Sequence, residues 1–162
     1  MAVDTKLVAD RRRVRYESLS DFLADAERQA AGSAQTLGNW TLAQIFDHLS
    51  RSMRVAVEGT DARFPWPARF FLRAIRKKFL RRPMKPGFRV PPKLERVLRP
   101  GEGLATGRTL QELREAASRF ETAPQLAPHP AFGPLTREEW RALSLRHAEL
   151  HMSFVVPDRP FS

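Results

Sequence analysis

Three of the four histidines in this chain fall where a single metal ion would need them. His147 and His151 stand one helical turn apart near the C-terminal end, and His48 sits in an earlier segment. Neutral imidazole is the commonest metal ligand, and three imidazoles leave coordination positions open for water or substrate. An i, i+4 pair on a helix can offer two nitrogens to one ion. From spacing alone two readings stand: a metal site, or core histidines satisfied by hydrogen bonds. HAELH (His147–His151) is not the HExxH protease motif, because that motif's glutamate directly follows its first histidine. Glu149 instead projects to the far side of the helix, so a zinc-protease reading is rejected.

Other candidates surround the three. His129 precedes Pro130, which biases its backbone to an extended conformation. It could contact substrate, support the site or act as an acid or base; the plainer reading is a loop residue that caps local carbonyls. Trp40 and Trp140 stand near helix starts and read either as core aromatics or as the lining of a pocket mouth. Gln44 lies one turn before His48. Asp47 and His48 are not a catalytic dyad, because adjacent helix positions diverge by about 100°. The chain has no phosphate-cradling glycine loop, no G-x-S-x-G elbow and no outstanding carboxylate pair.

Helices must position these groups. Ser18 with Asp21 forms a capping box that opens a helix to Ala31, stopped by Gly32. Thr41 with Gln44 opens a second helix, ended by Gly59. Its apolar stripe comprises Leu42, Ile45, Phe46, Leu49, Met53 and Val57, while Asp47, Arg51, Arg54 and Glu58 form the opposite face. His48 falls on the border of the stripe. Pro67 suits the first turn of a third helix, about 68–82, with Phe71, Leu72, Ile75 and Phe79 in one sector and arginines and lysines over most of the rest. Such a basic amphipathic helix could meet a membrane or nucleic acid, or be a bundle helix with a solvated face.

Residues 83–108 hold five prolines and four glycines and cannot be helical throughout. A connection this long reads as a lid over a pocket or as a plain crossover. Thr109 with Glu112 predicts the start of a fourth helix, buried through Leu110, Leu113, Ala117 and Phe120. Thr136 with Glu139 opens the last one, which runs to about Phe154. There Trp140, Leu143, His147, Leu150, His151 and Phe154 share a sector of about 120°, so the histidines point inward. No strand pattern is convincing beyond residues 1–17, a basic segment in which Val14 and Tyr16 alternate with Arg13, Arg15 and Glu17.

The 162 residues fit one domain, 1–162, and the expected class is all-α. There is no cysteine, which excludes disulfides, thiolate metal sites and cysteine nucleophiles. The start has no apolar core of a signal peptide, and no apolar run approaches the roughly 18 residues that span a bilayer. A cytoplasmic location is the expectation. The net charge of +10 favours nucleic acid, anionic lipid or acidic small molecules as partners, although arginine-rich composition alone could produce it.

Three segments carry a family likeness: WTLAQIFDHLS (Trp40–Ser50), HPAFGPLTREEW (His129–Trp140) and LRHAELHMSF (Leu145–Phe154). In their order and spacing the chain resembles the DinB-like (YfiT-like) superfamily of metalloenzymes, within a subfamily known only as a domain of unknown function. The resemblance implies a four-helix bundle with a long crossover and an additional short helix. It also implies a divalent ion, nickel, zinc or iron, held by His48, His147 and His151. Some relatives transfer low-molecular-weight thiols, so the implied chemistry is thiol transfer, with metal-assisted hydrolysis as the alternative. Gln44, His129, Trp40 and Trp140 are the expected supporting or substrate-contacting residues. A homodimer formed through exposed apolar faces is a further expectation. The rival readings are a non-enzymatic basic module for nucleic acid or an anionic surface, and a metal-free bundle.

Overall fold

Three helices begin on reciprocal caps that the sequence spells out. In a computed structural model describing residues 2–157, Ser18 caps α1 (Leu19–Ala31) with Asp21 bonded back to it. Thr41 and Gln44 do the same for α2 (Leu42–Glu58), as do Thr136 and Glu139 for the last helix. Each pair satisfies amides that the first helical turn leaves without partners. Gly59 ends α2 at φ +76°, a conformation glycine adopts without strain. A Cβ there would also stand 3.2 Å from that of Ala127.

Between these lie α3 (Trp66–Arg81), the short α4 (Pro92–Leu98) and α5 (Thr106–Thr122); α6 spans Arg137–Met152. The protein is thus mainly helical, with six helices among the described residues. α2 packs along α5; α1 touches α5 and α6; α6 also meets α2 and α3. One continuous core runs between them, with Phe22, Phe46, Leu49, Met53, Leu113, Phe120 and Met152 almost fully enclosed.

Four sequence expectations need correction. The fourth helix starts at Thr106, not Thr109. Ala105 is the extended residue before it, and the Thr109 hydroxyl bonds back to the Ala105 and Thr106 carbonyls from inside the first turn. Phe71 is not part of the buried sector of α3: it is 62% exposed, while Leu72 is buried and Ile75 and Phe79 pack partly against the core. Asp47 does not sit on a solvated face but is 3% exposed beneath the crossover. Strand pairing occurs outside the N-terminal segment, where Gln35–Thr36 (β1) runs antiparallel to Val155–Val156 (β2). Two residues are too few to show a period-2 pattern.

The N-terminal segment is extended and covers the back of α6. Val14 and Tyr16 turn inward and Arg13, Arg15 and Glu17 outward, as their alternation predicts. Tyr16 donates its backbone amide to Glu149 (2.8 Å) and its hydroxyl to Asp25 (2.6 Å). Arg12 forks onto both Asp25 oxygens, and Arg146 pairs with Glu149 at 2.6 Å. Glu149 does lie opposite the histidines, but that side is buried too. α6 is therefore enclosed on two faces rather than one.

Candidate metal centre

His48 lies at the middle of α2, and His147 and His151 lie on the last two turns of α6. The packing of α2 on α6 brings their rings together. His147 Nε2 stands 3.1 Å from His48 Nε2 and 3.1 Å from His151 Nε2. The three side chains converge so that one ligand atom from each lies within 4.8 Å of the others, a cluster able to hold a metal ion. The rings meet edge to face, with centroids 4.5 to 5.0 Å apart.

Neighbouring groups fix which nitrogen faces inward. His48 Nδ1 donates to the Leu98 carbonyl at 2.8 Å, because a carbonyl can only accept. Its Nε2 is then left with a bare lone pair whenever the ring is neutral. His147 Nδ1 bonds the Ser52 hydroxyl at 3.2 Å. Burial holds all three rings neutral: it is the chief cause lowering His48, it pushes His147 down to about 3, and it takes His151 well below the ordinary histidine range. The neighbouring rings add to the last two effects.

Proton counting then shows what the cluster lacks. With His48 protonated on Nδ1, at most one proton on His147 Nε2 can serve both 3.1 Å contacts. Otherwise two lone pairs face each other across one of them. A cation removes that conflict, since every Nε2 becomes a donor to it. The spacing also fits: nitrogens about 2.0–2.1 Å from one ion lie about 2.9 Å apart at a right angle and about 3.4 Å apart at the tetrahedral angle. The observed 3.1 Å falls between. No carboxylate joins the cluster among the described residues. The ligand set is neutral, so the full charge of an ion would remain for an incoming group.

Of the four supporting candidates, Trp40 packs on the histidine rings, and Gln44, Trp140 and His129 make their contacts elsewhere. The Trp40 ring lies 4.7 Å from His48 and stacks on His151 at 5.3 Å and 19°. Gln44 donates to the Gly101 carbonyl at 3.2 Å and so ties the crossover to α2. Trp140 is buried, donates to the Ala127 carbonyl and packs on His129. It is a core aromatic, not the lining of a mouth.

His129 lies outside the cluster. Its Nδ1 accepts from the Ala131 and Phe132 amides (3.0 and 3.2 Å), inside a turn closed by the His129–Gly133 pairing. Gly133 holds φ +71° to complete that turn. His129 therefore caps amides, the opposite of the carbonyl capping expected for a loop histidine. Its burial, with no countering charge, pushes it down to about 3.

Sequence reading missed the crossover's own contribution. The Leu98 carbonyl at the end of α4 orients His48, and Asp47 Oδ2 accepts the Gly101 amide at 2.9 Å. A backbone carbonyl carries no residue signature. The one available hint was an acid beside a site histidine.

The sequence matches, over residues 8–158, the family described as "Protein of unknown function (DUF1569)". No curated protein and no solved structure matches it.

Proposed function

Because the chain belongs to the DUF1569 family, a label without an activity, we propose a function from the site itself: a mononuclear metalloprotein, acting as a metal-dependent enzyme on a small anionic substrate. The observation that carries this reading is the convergence of three uncharged imidazoles, with His147 Nε2 3.1 Å from both His48 Nε2 and His151 Nε2 and at most one proton, on His147, to serve the two contacts. An ion held there would polarise a coordinated water or thiol and lower its pKa.

The chain's residues supply the remaining work. Leu98 and Ser52 hold the His48 and His147 rings in one orientation, the usual supporting role for groups behind a ligand. Trp40 covers the His48 and His151 rings on one side. Three uncharged ligands favour an anion in the open positions, which fits a thiolate better than a neutral group. Thiol transfer is therefore the proposed chemistry, with metal-assisted hydrolysis as the alternative. The proposed kinship is to DinB-like four-helix bundles. It is supported by the mutual packing of α1, α2, α5 and α6, and by one histidine from α2 with two from α6. Nickel, zinc and iron all accept imidazole ligands.

Elemental analysis of untagged protein, loaded with each ion and desalted, tests the site. One ion per chain is expected, falling at least tenfold in His147→Ala and His151→Ala. A cobalt-substituted sample should change its visible spectrum when a low-molecular-weight thiol is added. Substoichiometric metal that is the same in both variants would defeat the metal reading. Stoichiometric metal without a response to thiols would leave hydrolysis as the chemistry.

A further inference from the structure

The net positive charge of this protein is concentrated in one stretch. Lys and Arg number 28 and Asp and Glu 18 over the whole chain. Eleven of the basic residues, and none of the acidic ones, fall between Ala62 and Leu94. The rest of the chain is close to neutral. Arginine-rich composition would spread the excess evenly, so it does not account for this segment.

The same stretch carries the largest exposed rings. Trp66, Phe70 and Phe71 are 77%, 76% and 62% exposed, at the start of α3. Trp66, Phe70 and Ala74 lie on one outward line at i, i+4 and i+8. Further along the helix that outward face becomes Lys77, Lys78 and Arg81, all exposed. The opposite face, through Leu72, Ile75 and Phe79, packs on the core. Phe88, 55% exposed, leans on Phe79 at 6.0 Å and extends the apolar surface. Among the described residues, only Arg76 and Lys93 of these eleven cations pair with a carboxylate, Glu139 and Asp61.

We infer that the outer face of α3 is a docking surface for an anionic phospholipid membrane. The aromatic half enters the interfacial layer and the basic half meets the headgroups. Tryptophan favours that layer, and clustered lysine and arginine are drawn to anionic lipid. α3 is 16 residues long and basic, so it lies on a bilayer rather than crossing it. Proteins that bind single-stranded nucleic acid combine a positively charged groove with aromatic side chains on which bases stack. Here the rings protrude from a convex helix instead of lining a groove, with exposed Arg73 beside them and Lys77, Lys78 and Arg81 further along. Charge complementarity and protruding rings together favour lipid.

The full-length protein should cosediment with vesicles of phosphatidylcholine containing one-third phosphatidylglycerol, and at least tenfold less with phosphatidylcholine alone. Raising salt should weaken the binding, because screening shortens the reach of the charges. The combined Trp66→Ser, Phe70→Ser and Phe71→Ser variant should lose binding at least tenfold, as should Lys77→Glu, Lys78→Glu and Arg81→Glu together. These side chains are exposed, and circular dichroism checks that each variant is folded. For the unaltered protein, brominated lipid should quench tryptophan emission, and Trp66→Phe should abolish that quenching. Three results would overturn the inference: no cosedimentation with anionic vesicles at low salt, binding or quenching indifferent to these substitutions, or displacement from vesicles by a short RNA or DNA that binds more tightly.

Discussion

Replacing Asp47 by alanine should loosen the crossover and weaken metal binding together. Asp47 Oδ2 accepts from the Gly101 amide and from Arg51 Nε, each at 2.9 Å, in a position only 3% exposed. A hydrogen bond to a charged group contributes about 1.5–3 kcal/mol. The Arg51 pair adds little, about 0.5 kcal/mol or less, because the Arg51 side chain is more than a third exposed and the pair is an i, i+4 helix contact. Gln44 still holds the Gly101 carbonyl in the variant, so the segment stays near its place. A loss of about 2 kcal/mol is expected, or about 4–8 °C in Tm for a chain of this size.

The metal consequence follows from Leu98. Its carbonyl lies three residues before Gly101 and fixes the His48 ring. Loss of a group that orients a ligand lowers metal affinity about 10–100-fold. The lower end applies to Asp47→Ala, and the upper end to the double variant that also carries Gln44→Ala. Arg51→Ala is the control, since it leaves the Asp47–Gly101 bond intact and should move both quantities little. Thermal unfolding of chelator-treated protein measures the first effect, and competition with a chromophoric chelator measures the second. If Asp47→Ala destabilises the fold while metal affinity stays at the wild-type value, the crossover does not act on His48 and the reasoning fails.

Three further outcomes are expected. His129→Ala should cost about 2 kcal/mol through the Ala131 and Phe132 amides it leaves unpaired. His129 stays neutral down to about 3 when folded but titrates near 6.5 when unfolded, so it contributes stability that is lost as pH falls between those values. Urea unfolding at pH 7 and pH 4.5 should show a shallower acid decline in the variant, and equal declines would refute the assignment. Asp25→Ala should cost about 3 kcal/mol or more, since it strands Arg12 and the Tyr16 hydroxyl. Asp25 is held down to about 2, chiefly by the Arg12 and Tyr16 hydrogen bonds that outweigh its burial, so its contribution disappears only as pH falls from about 3.8 to 2. Trp40→Ala should speed metal release at least tenfold in a stopped-flow chelator assay while Trp40→Phe does not; equal rates would make the stacking merely structural.

What could be read from the sequence was local. The caps at Ser18, Thr41 and Thr136 are pairs three residues apart, and each determines its own helix start without help from elsewhere. The inward turn of His147 and His151 needed only helical projection. Thr109 with Glu112 has the same spacing and misled, because Ala105 four residues earlier was free to adopt the extended conformation first. Asp47 was misplaced for a different reason. A hydrophobicity stripe separates apolar from polar residues, not buried from exposed ones, and a carboxylate buried against a loop amide reads as surface. Glu149 shows the same limit: its partner is the backbone of Tyr16, 133 positions away.

The proposed metal centre joins both kinds of information. Two ligands come as a local pair on α6, and the third comes from α2 through tertiary packing. The ring orientation of that third ligand rests on the Leu98 carbonyl, a backbone group of a proline-rich connection. A change in the crossover that preserves the Leu98 carbonyl and the Gly101 amide would leave the site intact whatever residues it introduced. A change that shifts those two atoms would impair the site with all three histidines in place. In the proposed centre histidine identity is therefore necessary, and crossover geometry should decide how well an ion is bound.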